Sequence, residues 1–273
     1  MKKKIKGRLF IVGCPRSGTT LLQSLLSVHS KIKSFPETHF FPNLISRNWR
    51  LYLGISSPRA KERIYEFLNE INCNKLKKYI PKHAFLIRQY SEFFVNILDR
   101  LVLDQDKLYW LEKTPIHLHY VNIIEKYIPN AKIIHILRNG TDVVASLFEV
   151  TNKFPNEWGG SRTIEQCIKR WNNDINISKK YFYKENHKII KYEDLTNNTK
   201  YVLEDICEFI GIEYENNMLE GYKKVIKDIT LKKQFWVNKN TKKNIENMNN
   251  KKFKKIFSKE EQKWIIKNLE KYL

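Results

Sequence analysis

Apolar positions fall into short unbroken runs that alternate with stretches of helical spacing. Arg8-Leu-Phe-Ile-Val12 is an apolar run closed by Gly13, the mark of a buried strand. Residues 19–28 place Leu21, Leu22, Leu25 and Leu26 at helical spacing. A second short strand is predicted over 32–35, closed by Pro36. Residues 59–103 read as mostly helical, with Ile64, Phe67, Leu68 and Ile71, then Phe85 onward, interrupted by Pro81. Residues 108–111 predict a strand and 117–127 a helix. Lys132-Ile-Ile-His-Ile-Leu137 predicts a strand, with a turn at Asn139-Gly140. A helix over 142–149 follows, with Thr141 as its N-cap. A long helix is expected over 163–185, a strand over 188–191 and helix over most of 195–210. Beyond Gly221 the chain reads as irregular and rich in Asn and Lys, until Ser258 opens a last helix with Glu261 at capping-box spacing.

Buried strands alternating with helices predict an α/β fold: a P-loop-like parallel sheet flanked by helices. Residues 1–273 are expected to form one domain, with a helical insert at about 43–105 and a basic C-terminal segment at about 222–273. In such sheets ligands bind beyond the carboxyl ends of the strands. That directs attention to residues 13–20, 112–115, 138–142 and 192–195.

Composition narrows the classes. The chain has 273 residues, 42% hydrophobic and 29% charged, which suits a globular domain. No stretch approaches the roughly 18 apolar residues of a membrane span. The lysine-rich start resembles a signal peptide, but its apolar run is short and Arg16 follows at once. Cys14, Cys73, Cys167 and Cys207 lie far apart, with no metal-ligand spacing, so reduced thiols, a cytoplasmic chain and no metal are expected. The formal net charge is +21, and the segment from Lys223 holds 16 Lys against 5 acids. Charge alone fits a nucleic-acid-binding module. The aromatics there (Phe235, Trp236, Phe253, Phe257, Trp264) lack the spacing of a base-stacking surface, which favours a solvated basic face or an anion pocket.

The most specific signal is Gly13-Cys-Pro15-Arg16-Ser17-Gly18-Thr19-Thr20, between a strand and a helix. The glycines stand where a phosphate-binding loop has them. They let backbone N–H groups turn inward, and the helix N-terminus adds about half a positive charge. A nucleoside triphosphatase or nucleotide kinase needs a Lys after the second glycine and a carboxylate for magnesium after a strand. Here Thr19 follows Gly18, the cation is Arg16, and Arg138 follows the 132–137 strand. The loop is built to grip an anion and poorly equipped for metal-assisted phosphoryl transfer. Magnesium dependence separates the two readings.

GCPRSGTTLL after a strand resembles the 5′-phosphosulfate loop of sulfotransferases that use 3′-phosphoadenosine 5′-phosphosulfate (PAPS). Their second signature is an Arg ending a strand and a Ser eight residues on, both binding the 3′-phosphate. Arg138 and Ser146 match it. Asp142 and Ser146 share a helix face, so Ser146 can point back toward the loop of Arg138, and a guanidinium fork suits phosphate oxygens. The resemblance covers most of residues 8–210.

It implies PAPS as donor, PAP as product, and sulfuryl transfer to an acceptor hydroxyl on a tyrosyl peptide, a carbohydrate or a small molecule. Pro15, Arg16, Ser17, Gly18, Thr19 and Thr20 would hold the donor, with Arg138, Ser146 and Tyr192. Tyrosylprotein sulfotransferases share the PRSGTT form and place a catalytic Glu before Thr at this spacing, which makes Glu37 the expected base. The alternative is that Glu37 opens the next helix as a favourable acid. His39 is a rival base. Cytosolic sulfotransferases use His in a Lys-Thr-His segment, where this chain has Lys113-Thr114-Pro115. Lys113 and Arg16 would neutralise the group bridging phosphate and sulfate. His117 and His119 read as surface or packing residues and Trp171 as core. Lys239, Lys242 and Lys243 could form a late loop over the nucleotide.

Overall fold

The computed structural model describes residues 4–45, 48–81, 83–230, 245 and 250–271. Its strands are β1 (Gly7–Val12), β2 (Ile32–Ser34), β3 (Tyr109–Lys113), β4 (Ala131–Leu137) and β5 (His187–Lys191). They form one sheet in the order β2-β3-β1-β4-β5, and every pair is parallel. The expected parallel α/β architecture is thus the observed one. Helices cover both faces, which is why β1 is apolar without alternation from Leu9 to Val12. Phe10 and Val12 pack on one side with the aromatic residues of the segment between β2 and β3. Leu9 and Ile11 pack on the other with Leu22, Leu25 and Leu26.

The loop after β1 opens α1 (Thr19–Ser27). Between β2 and β3 lie α2 (Phe40–Leu44), α3 (Asn48–Tyr52), α4 (Arg59–Glu70) and α5 (Ile87–Leu103). The stretch joining α4 to α5 is wider than a break at Pro81 alone: it holds a 3-10 turn at Asn74–Tyr79, and its end at Leu86 bridges back to Ile55, before α4. The 117–127 helix instead starts as a 3-10 turn at Pro115–Tyr120 and becomes α6 (Val121–Tyr127).

After β4, α7 (Gly140–Lys153) begins two residues before the predicted helix. Its N-cap is Asn139 rather than Thr141; the Asn139 side chain accepts the Thr141 N–H at 3.0 Å. A short α8 (Pro155–Trp158) precedes α9 (Ile164–Lys179), capped by Thr163 and ending six residues before the predicted limit. The 195–210 helix is two, α10 (Tyr192–Asn197) and α11 (Thr199–Ile210). The stretch from Gly221, expected to be irregular, continues α12 (Asn217–Ile229). Its Met218, Tyr222, Ile226 and Ile229 are buried at helical spacing, and the interspersed lysines mask that stripe in the sequence. Next come α13 (Lys251–Ile256) and α14 (Lys259–Asn268), the latter with the predicted Ser258–Glu261 capping box. Phe253, Phe257 and Ile265 close a third cluster against α7 and α9. Lys239, Lys242 and Lys243 lie outside the described residues.

Candidate active site

Register brings the marked segments to one edge. Ile11 pairs with Lys113 and Val12 with His135, so the loop after β1 emerges between the ends of β3 and β4. Leu137 pairs with Lys191, which puts Arg138 and Tyr192 side by side beyond β4 and β5.

The loop is shaped by what its glycines exclude. A Cβ at Gly13 would lie 2.5 Å from the Ile136 carbonyl oxygen. Gly18 has φ +95, and a Cβ there would run into the Tyr192 ring. Gly18 is the N-cap of α1, and no side chain caps that helix and no acid lies in its first turn. Its first amides are therefore available to an anion, as the +0.5 end of a helix requires. Ser17 and Thr19 are buried in the loop, and Pro15 and Thr20 are half-buried.

Two guanidiniums converge here. Arg16 takes a left-handed backbone (φ 76) uncommon for its type, and its Nε donates to Ser146 Oγ at 3.0 Å. Arg138 donates to the Arg16 carbonyl oxygen at 3.2 Å, while its guanidinium lies 4.3 Å from the centre of the Tyr192 ring. Arg138 Nε is buried without a hydrogen-bond partner. Burial, then the neighbouring Arg138 charge, pushes the Arg16 guanidinium down to about 10. Among the described residues neither arginine has a carboxylate in ion-pair range. Trp171, fully buried as expected of core, donates to the Arg138 carbonyl at 3.1 Å and fixes the strand end. The structure thus brings together Arg16, Gly18, Arg138, Ser146 and Tyr192.

A second group lies beyond β2 and β3. Lys113, 1% exposed, forms an ion pair with Glu37. Glu37 also faces His39 Nε2 at 3.2 Å. Burial alone would push the Glu37 carboxyl up, but the Lys113 charge and the His39 bond hold it at about 2. Glu37 does not cap α2; the residue at that position is His39, with φ 47. His39 is about half exposed, so the pair opens to solvent on its side. The charges acting on Glu37 are Lys113 and His39, whereas those acting on Arg16 are Arg138 and Glu149. Arg16 thus meets Ser146 directly, and no bond joins it to Lys113 among the described residues. His117 is a buried partner of Glu112, and His119 bonds Asp174 at 2.7 Å.

Sequence reasoning did not find Glu112, Thr38 or Arg63. Arg63 is a mostly buried arginine whose Nε donates to the Thr38 carbonyl at 2.6 Å. Glu112 lay in the flagged 112–115 segment, and an acid directly after the apolar run that ends at Leu111 was the available signal for it.

The profile of the family described as Sulfotransferase family matches residues 8–216. The chain is 25% identical over 227 residues to protein-tyrosine sulfotransferase A of Caenorhabditis elegans, a match covering 82% of this chain. The chain spans about half of that protein's length, 54%. The sulfotransferase domain from the curacin biosynthetic pathway superposes with a TM-score of 0.57 at 23% identity, covering 81% of this chain and 79% of that one. A mouse sulfotransferase complexed with PAP superposes at 0.53 and 13% identity, covering 97% and 84%. The two structures share the fold.

Proposed function

The chain belongs to the sulfotransferase family, and on that premise we propose that it moves a sulfuryl group from PAPS to an acceptor hydroxyl, with Glu37 as general base. The observation that carries this reading is the pair Arg16 and Arg138: two arginines joined at the mouth of a phosphate-type loop, with no carboxylate in ion-pair range among the described residues, one with a buried unpartnered Nε. Each of these half-exposed cations disfavours the charge of the other, and an anion bound between them relieves that repulsion. A nucleotide phosphorylated at both the 3′ and 5′ positions supplies two anionic ends. The structurally similar mouse enzyme was solved with PAP, which is that nucleotide.

The residues present fit the donor. Residues 15–20 would hold its 5′ end through the backbone N–H groups that follow Pro15 and the Arg16 side chain, Arg138 and Ser146 its 3′-phosphate, and Tyr192 the nucleotide. When bound, PAPS supplies the sulfuryl group and leaves as PAP. Glu37 accepts the proton of the acceptor hydroxyl: it is ionised at neutral pH, and because the pairing with Lys113 and His39 that holds its carboxyl at about 2 also weakens it as a base, that pairing has to loosen as the proton moves. Lys113 places a buried positive charge where negative charge develops, and its pairing with Glu37 keeps that ammonium oriented. His39 orients Glu37 from the solvent side. The acceptor is a tyrosyl peptide, a carbohydrate or a small molecule bearing a hydroxyl. The helices between β2 and β3 wall its pocket, and the chain works in the cytoplasm.

The test is transfer from radiolabelled PAPS to a tyrosine-containing acidic peptide, an oligosaccharide and a simple phenol. Labelled product with one of these, lost in Glu37→Gln, is the expected result. Turnover in Glu37→Gln at the wild-type rate removes the base assignment.

A further inference from the structure

We propose that Glu112 is a positioning residue that holds Glu37 in register with Lys113; this rests on the reading of Glu37 as the base. Glu112 and Lys113 are neighbours at the end of β3, and strand alternation sends their side chains to opposite faces. On one face Lys113 pairs with Glu37. On the other, Glu112 is wholly buried, and its Oε1 accepts the Thr38 N–H at 3.2 Å and the Thr38 hydroxyl at 2.8 Å. Thr38 is the residue next to Glu37. Two adjacent residues of one segment are thus fastened to two adjacent residues of another, one bond pair in the site and one beneath it.

The clamp extends further. Glu112 Oε1 also accepts the Thr114 hydroxyl at 2.5 Å, and Thr114 Oγ1 accepts the His39 N–H at 3.4 Å. Glu112 Oε2 is 2.8 Å from His117 Nδ1. From the opposite side Arg63 of α4 holds the Thr38 carbonyl. Residues 37–39 lie between β2 and α2, outside any strand ladder, with His39 in a left-handed conformation. Such a segment keeps its shape only where its surroundings over-determine it.

A buried carboxylate is a poor device for stability alone. A well-packed apolar residue often stabilises as much or more, whereas fully satisfied polar networks specify geometry. Here every hydrogen bond that Oε1 accepts comes from a residue beside Glu37 or beside Lys113. Burial would raise the Glu112 carboxyl, but His117 and the two threonine hydroxyls keep it below the usual range, so it remains an ionised acceptor.

The experiment is a carbon-13 NMR titration of the Glu37 carboxyl, whose wild-type midpoint is expected at about 2, in wild type, Glu112→Gln, Thr38→Val and Thr38→Ser. Loosening the pair with Lys113 is expected to raise that midpoint by about one unit or more in the first two variants, with Thr38→Ser matching wild type. PAP affinity by calorimetry is expected to stay within about twofold of wild type, because the arginine pair is built from other elements. A midpoint unmoved in folded Thr38→Val overturns the proposal. So does a loss of PAP affinity in step with the melting temperature, which would make Glu112 a general structural residue. Should Glu112→Gln fail to fold, the Val and Ser variants decide. A Glu37→Gln enzyme with full turnover would remove the base assignment and leave the titration result standing.

Discussion

The two halves of the site solve opposite electrostatic problems. Around β4 and the loop after β1, Arg16 and Arg138 stand together, with one guanidinium nitrogen unpartnered. Around β2 and β3, Glu37 and Lys113 already neutralise each other and are clamped from beneath by Glu112. The first half holds two arginines with no ion-pair partner among the described residues and gains most when an anion arrives. The second is compensated and pre-oriented, so it gains little from binding and most in a proton-transfer step. A residue's worth therefore depends on its half: substitutions near Arg138 should cost affinity, and those near Glu37 should cost rate.

That division can be broken in four ways. The largest effect is expected from Glu37→Gln, which should lower kcat by about 10²–10⁴ while PAP affinity is retained. Equal losses in both would merge the halves. Lys113→Ala should follow at roughly 10²–10³ in kcat, the scale for losing one aligned donor to developing charge. Arg138→Ala and Arg16→Ala should each weaken PAP by about 10–100-fold in calorimetry, since a hydrogen bond to a charged group contributes about 1.5–3 kcal/mol. The smallest effect concerns stability against pH. The Glu37 carboxyl is depressed in the folded state from 4.5 to about 2, so its contribution is present above 4.5 and lost as pH falls toward 2. His135 is buried with His187 at 2.9 Å and pushed down to about 3 from 6.5. Its neutral form is favoured by folding, so that contribution is present above 6.5 and lost as pH falls toward 3. Melting temperature should thus decline from about pH 6.5, and Lys113→Met should reduce the part below 4.5 alone.

Much of this was readable from residues. The strands announce themselves because a sheet covered on both faces needs uninterrupted apolar runs such as Leu9 to Val12. Arg138 and Ser146 were marked by their likeness to the sulfotransferases' second signature, an Arg ending a strand and a Ser eight residues on. What was hidden depends on partners far away in sequence. The contact of Arg16 with Ser146 spans 130 positions, and no local pattern encodes it. The Glu112 clamp joins positions 38 and 112 through a carboxylate that reads as an oddity directly after an apolar run. Thr141 looked like a cap, but the backbone turns two residues earlier, and Asn139 takes that place with its own amide N–H bound by Glu193 at 3.0 Å. The helix through Gly221 was missed because frequent lysines and one glycine obscure a buried stripe that α1 completes, with Val28 packed close to Gly221.

The direct test of the central claim is calorimetric titration with PAP against adenosine monophosphate, for wild type and Arg138→Ala. A strong preference for the bisphosphate in wild type, reduced to near parity by Arg138→Ala, is the predicted outcome. Equal affinity for the two nucleotides in the wild-type protein would contradict the account.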